Sequence, residues 1–120
     1  RLDYDAMAEA APYFEGKQDF AAVRSEGTPV RSTVRTMYYC RTEKEGDLIS
    51  IRVCADGFLY NMARAISGTL LYCGLHKIEP RQIPEILASR DRERAGPTAP
   101  ACGLYMTALT YGMEELDGRA

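Results

Sequence analysis

From Val30 to Arg41 the chain divides into two alternating sets of positions. Val30, Ser32, Val34, Thr36, Tyr38 and Cys40 form one set, and Arg31, Thr33, Arg35, Met37, Tyr39 and Arg41 the other. β-Branched and aromatic residues dominate both sets, so the pattern predicts a strand. Glu45-Gly46-Asp47 supplies turn chemistry. From Leu48 to Cys54 the alternation resumes, with Ile49, Ile51 and Val53 facing one way and Ser50, Arg52 and Cys54 the other. Two such runs around a short polar turn predict an antiparallel hairpin. Upstream, Asp3 to Phe14 reads as a short helix with Asp3 or Asp5 near its start and Gly16 just past its end, and Pro12 distorts its last turn.

A different periodicity follows the hairpin. Between Asp56 and His76 the single charged residue is Arg64. A period of 3.6 places Phe58, Met62, Ile66, Thr69, Leu70 and Cys73 on one stripe, with Arg64 opposite, beside Tyr60, Ser67 and Leu71. A helix without a charged face is packed on more than one side, and a guanidinium held there is paired or reaches solvent along its stem. Which anion Arg64 meets is therefore the first functional question. A second helix is predicted around Ile83 to Arg90, then a Gly/Pro-rich loop from Ala95 to Gly103 and a final strand from Leu104 to Tyr111. The order α, β, β, α, α, β predicts an α+β domain, an antiparallel sheet with helices packed on one face. Three strands make a thin sheet, which invites a further strand or domain.

Composition narrows the chemistry more than the class. At 120 residues, 46% hydrophobic and 27% charged, the chain has the size and content of one soluble globular domain. The net charge is −2, so an anionic partner must be met by a local patch of arginines and not by the field of the whole molecule. Cys40, Cys54, Cys73 and Cys102 form no Cys-x-x-Cys pair, and the lone His76 completes no ligand cluster with them, so no metal site is expected. With no signal peptide, transmembrane run or lipidation box in view, reduced thiols in a cytoplasmic protein are the default expectation. The first residue is Arg1. The chain is therefore expected to be part of a longer protein.

Several constellations bear on function. Arg31, Arg35 and Arg41 are expected to share a strand face with Tyr39, with Arg52 on the same side of the neighbouring strand; this suits either phosphate contact and base stacking or a plain solvated sheet face. Asp91-Arg92-Glu93-Arg94 reads as a solvated helix end, where cations complement the dipole and the free carbonyls. The rigid loop after it is either punctuation or the wall of a pocket. Arg41-Thr42-Glu43 sits beside the hairpin turn and reads as surface. No Ser/His/Asp or Cys/His triad, phosphate loop or carboxylate pair at useful spacing is present.

Two motifs, in order and well spaced, resemble a known family. Phe58-Leu59-Tyr60-Asn61-Met62-Ala63-Arg64-Ala65-Ile66-Ser67-Gly68-Thr69-Leu70, and Asp91-Arg92 continuing through Ala95-Gly96-Pro97-Thr98-Ala99-Pro100-Ala101-Cys102-Gly103-Leu104-Tyr105, resemble the C-terminal half of the tRNA pseudouridine synthase A family. Gly16-Lys17-Gln18-Asp19-Phe20 is similar to that family's Gly-x-His-Asp-Phe box, with Gln18 in place of His. The resemblance implies cofactor-free conversion of uridine to pseudouridine in the anticodon arm of tRNA by a homodimer. It implies that Arg64 pairs with a catalytic aspartate of the N-terminal half, and that Leu104 lines the uracil pocket. The family's Arg-Thr-Asp-x-Gly motif is absent here, and Arg41-Thr42-Glu43 echoes it only superficially. The expectation is half an active site, inactive alone and completed by the N-terminal half of the same polypeptide. The alternative is a non-catalytic RNA-binding or oligomerisation module with the same fold.

Overall fold

Asp3 starts the first helix by accepting a hydrogen bond from the Ala6 backbone N–H at 3.2 Å. In the computed structural model, which describes residues 2–27 and 29–100 and the backbone of residues 108–109, helix α1 covers Tyr4–Ala10 and passes into a 3₁₀ turn over Ala11–Phe14. Pro12 thus tightens the last turn, as expected, because it donates no i→i−4 bond. Met7, Ala10 and Phe14 point into the core.

Strand β1 (Gly16–Asp19) pairs antiparallel with β2 (Val34–Glu45), which pairs antiparallel with β3 (Leu48–Ala55) across the predicted turn. β1 was not expected, and it supplies from within the chain the extra strand that a thin sheet called for. A two-residue β4 (Ala108–Leu109) runs parallel to β3, giving the order β1-β2-β3-β4. The fold is α+β, antiparallel through its first three strands. Most of the predicted strand from Leu104 to Tyr111 lies outside the described residues.

Strand β2 departs from its predicted pattern at one point. Met37 pairs with Ala55 but Tyr39 pairs with Cys54, so two residues of β2 face one of β3 and Tyr38 is the surplus residue of a bulge. Met37 and Cys40 are consequently both buried, three positions apart, where unbroken alternation would put them on opposite faces. The strand also begins at Val34, so Arg31 lies in a bend before it.

Helix α2 (Met62–Gly74) and helix α3 (Ile83–Ser89) complete the layer. Ile66, Leu70 and Cys73 of α2 and Ile83 of α3 join Met7, Phe14, Phe20, Met37, Cys40 and Val53 in one apolar core on a single face of the sheet. On the other face Arg41, Glu43 and Arg52 are exposed. The Asp3 backbone N–H donates to the Gly74 carbonyl at 2.8 Å, tying the start of α1 to the end of α2. No helix among the described residues is long and apolar enough to cross a membrane.

Candidate functional site

The start of α2 holds the candidate arginine by an unusual route. A helix N-cap normally has extended backbone and an oxygen turned onto the first free N–H groups. Asn61 is instead left-handed, with φ 58° and ψ 15°, and its side chain does not cap the helix. Its amide spans two other groups. Nδ2 donates to Ser25 Oγ at 3.2 Å, while Oδ1 accepts from Arg64 Nη1 at 3.1 Å.

Arg64 is held from a second direction by the Gly/Pro-rich loop. Its Nε donates to the Ala99 carbonyl at 2.7 Å, and the Ala99 N–H donates back to the Arg64 carbonyl at 3.0 Å. One residue thus engages both polar backbone groups of Ala99. Arg64 is half-buried and forms no ion pair with any described residue. Two anchored N–H groups fix the plane of the guanidinium, and Nη2 has no described partner.

The loop reaches Arg64 because small residues let it lie directly on the helix. A Cβ added at Gly68 would stand 1.6 Å from the Pro97 carbonyl oxygen, and one at Gly96 would stand 2.6 Å from the backbone of Gly68 and Thr69. Thr69 Oγ1 accepts from the Gly96 N–H at 2.9 Å and donates to the Ala65 carbonyl at 2.7 Å, so a buried hydroxyl is satisfied twice. From the far side Arg92 grips the same loop, donating from Nη1 to the Gly96 carbonyl at 2.6 Å and from Nη2 to Thr98 Oγ1 at 2.9 Å. Burial lowers the Arg92 pKa from its ordinary value. This corrects the reading of Arg92 as part of a solvated helix end. α3 stops at Ser89, and Arg92 opens a separate 3₁₀ turn from which it braces the loop. Leu104 lies outside the described residues.

The arginine patch is only partly assembled. Arg41 and Arg52 are directly opposite in the β2–β3 register. Like charges so placed repel, and each turns to its own neighbour: Arg41 stacks over the Tyr39 ring at 4.8 Å, and Arg52 pairs with Glu43 at 3.2 Å. Arg35 stands across the bulge from them and donates to the Ser32 and Val34 carbonyls at 2.9 and 2.7 Å. Arg31 precedes the strand. The expected single face of four arginines is therefore two on one face and two apart, because the bulge shifts the phase of the strand at Arg35 and Arg31 lies before the strand begins.

The Cys40 and Cys73 thiols are poor candidates for chemistry. Burial, with the Glu15 carboxylate adding to it, pushes the Cys40 thiol up to about 12, and burial with Glu9 pushes Cys73 up to about 11. Among the described residues no cluster of three or more His, Cys, Asp or Glu is placed to hold a metal. The sequence reading passed over Asn61, Thr69 and Arg92 as site residues. The signals were there: asparagine tolerates the left-handed region better than most residues, and paired glycines mark a close approach of two backbones.

A family model described as tRNA pseudouridine synthase matches residues 10–112. The chain belongs to the tRNA pseudouridine synthase family. It is similar to a protein named tRNA pseudouridine synthase A from Acetivibrio thermocellus, 46% identical over 111 residues, and to one of the same name from Ruminiclostridium cellulolyticum, 49% identical over 111 residues. A third, from Syntrophomonas wolfei, is 44% identical over 110 residues. Each match takes in 92% of this chain but only 44–46% of the relative. The chain thus spans about half the length of these members of the family. Its described site likewise holds an arginine fixed on a helix and no carboxylate facing it.

Proposed function

We propose that this chain is the C-terminal half of the catalytic domain of a tRNA pseudouridine synthase, and that Arg64 pairs with a catalytic aspartate carried by the N-terminal half of the same polypeptide. The observation that carries the reading is the guanidinium itself: half-buried, fixed at Nε and Nη1, and without an ion-pair partner among the described residues. A fixed cation beside a carboxylate favours its ionised form and orients it in a poorly hydrated cleft.

The reaction isomerises uridine. The N-glycosidic bond between base and ribose breaks, the uracil turns, and a C-glycosidic bond forms in its place, with no atom gained or lost and no cofactor taking part. The target base must first leave its stack to be reached. The substrate is the anticodon arm of tRNA, Leu104 forms part of the uracil pocket, and the enzyme acts as a homodimer in the cytoplasm. Arg41 and Arg52, with Tyr39 beside them, offer a guanidinium and aromatic surface for RNA, with Arg31 and Arg35 as outlying phosphate contacts.

Incubation of the 120-residue chain with unmodified tRNA should yield no pseudouridine, whereas the full-length polypeptide containing it should convert the tRNA. Turnover by the chain alone overturns the half-site reading. In the full-length enzyme, Arg64→Ala should lower the rate by orders of magnitude with the fold retained. Arg64→Lys should not restore it, because an ammonium cannot hold two fixed acceptors and a carboxylate in one plane.

A further inference from the structure

An asparagine that starts a helix without capping it spends its side chain elsewhere. Asn61 adopts φ 58°, a conformation that costs most residues about 1–2 kcal/mol. It leaves the first turn to backbone bonds, with Met62 N–H donating to the Leu59 carbonyl at 3.0 Å and Ala65 N–H donating to the Asn61 carbonyl at 2.8 Å. The left-handed turn aims its side chain away from the helix end, along the face that carries Arg64. There the amide is polarised in one direction, accepting from Arg64 and donating to Ser25. Ser25 is itself fixed, its backbone N–H donating to the Tyr60 carbonyl at 2.9 Å.

We propose that Asn61 is a positioning residue: its left-handed backbone and its bond to Ser25 hold the amide oxygen where it locks the Arg64 guanidinium in the plane required for its carboxylate partner. The Ala99 carbonyl holds only Nε, and a guanidinium held there alone can still tilt about its stem. A second contact at Nη1 removes that freedom. The inference rests on the proposed role of Arg64 and adds to it a residue that acts through Arg64.

The test is Asn61→Gly in the full-length enzyme, because glycine accepts φ 58° without strain while alanine would confound loss of the amide with loss of the turn. The expected result is a kcat lower by about 10- to 100-fold, the scale set by misplacing a catalytic group, with KM for tRNA little changed. The Arg64 Nη1–H proton that Asn61 accepts should exchange several-fold faster by nuclear magnetic resonance. The double variant Asn61→Gly/Arg64→Ala should be no slower than Arg64→Ala, since the two residues act as one unit. A full rate for Asn61→Gly beside an inactive Arg64→Ala overturns the inference and leaves the role of Arg64 standing. A full rate for Arg64→Ala overturns both. Unchanged exchange of the Arg64 proton in Asn61→Gly overturns the locking contact itself.

Discussion

At the level of single residues, close approach and electrostatics give opposite kinds of evidence. Glycine inside a helix ordinarily costs stability relative to alanine, yet Gly68→Ala should destabilise, because the new Cβ would meet the Pro97 carbonyl at 1.6 Å and neither backbone can yield cheaply. A loss at or above the upper end of the roughly 1–3 kcal/mol typical of overpacking is expected from urea unfolding. Asp19 gives a pH test. Burial pushes its pKa up, but bonds donated by Thr33 Oγ1 at 2.5 Å and the Ala21 N–H at 3.0 Å, with the charges of Arg90 and Arg24, hold it below the usual carboxylate value. A depressed folded pKa stabilises the fold above the unfolded value and ceases to do so as pH falls from about 4 through the folded value. Asp19→Asn should therefore lower the urea midpoint at pH 7, and the gap to the parent should begin to close near pH 4 and close fully only as pH falls through the folded value. That Arg64 is held by protein groups was legible in the sequence, because a lone charge in an apolar helix must find polar partners. The contact from Asn61 was not, because it depends on a backbone angle that residue type permits but does not dictate.

Elements were legible where periodicity was long. The hairpin and α2 follow from runs of regular spacing, and α3 ends one residue short of its predicted limit, at Ser89 with Arg90 as its left-handed cap. β1 was hidden because Gly16-Lys17-Gln18-Asp19 contains no β-branched or aromatic residue; its pairing with β2, not its propensity, makes it a strand. The bulge was hidden too, since alternation on each side of it is intact. It makes a distinctive prediction about deletions. Removing Tyr38 deletes the surplus residue and keeps Met37 and Cys40 both inward, so the protein should still unfold cooperatively by circular dichroism. Removing Arg41 instead turns Glu43 toward the core, and the cooperative transition should be lost.

For the whole molecule, family membership, the match to about half of each relative and a described site without a carboxylate facing Arg64 all support the proposal that the chain is half of a catalytic domain. The uneven arginine distribution adds a prediction that rests on the proposed RNA contact. Arg41, stacked on Tyr39 and free of any described carboxylate, should count for more than Arg52, whose charge Glu43 already offsets. In the full-length enzyme, Arg41→Ala should weaken tRNA binding and reduce the slope of log affinity against log salt by about 1. Glu43→Ala should tighten binding by releasing Arg52, and filter binding across a salt series would read both.

The loop on α2 also sets a limit on the length of the chain. Gly96 is bonded at Thr69 and Ala99 at Arg64, so the loop runs against the helix direction and crosses five helical residues in three of its own. Five helical residues rise ~7.5 Å, and three residues of extended chain reach roughly 10 Å. A deletion between Gly96 and Ala99 would leave the span too taut to hold both bonds, and an insertion would bow the chain off the helix. In a set of natural variants, gained or lost residues should therefore gather in the turns on either side of α3 and be missing from Gly96 to Ala99. The segment is a ruler, and its unit of measure is the rise per residue of the helix beneath it.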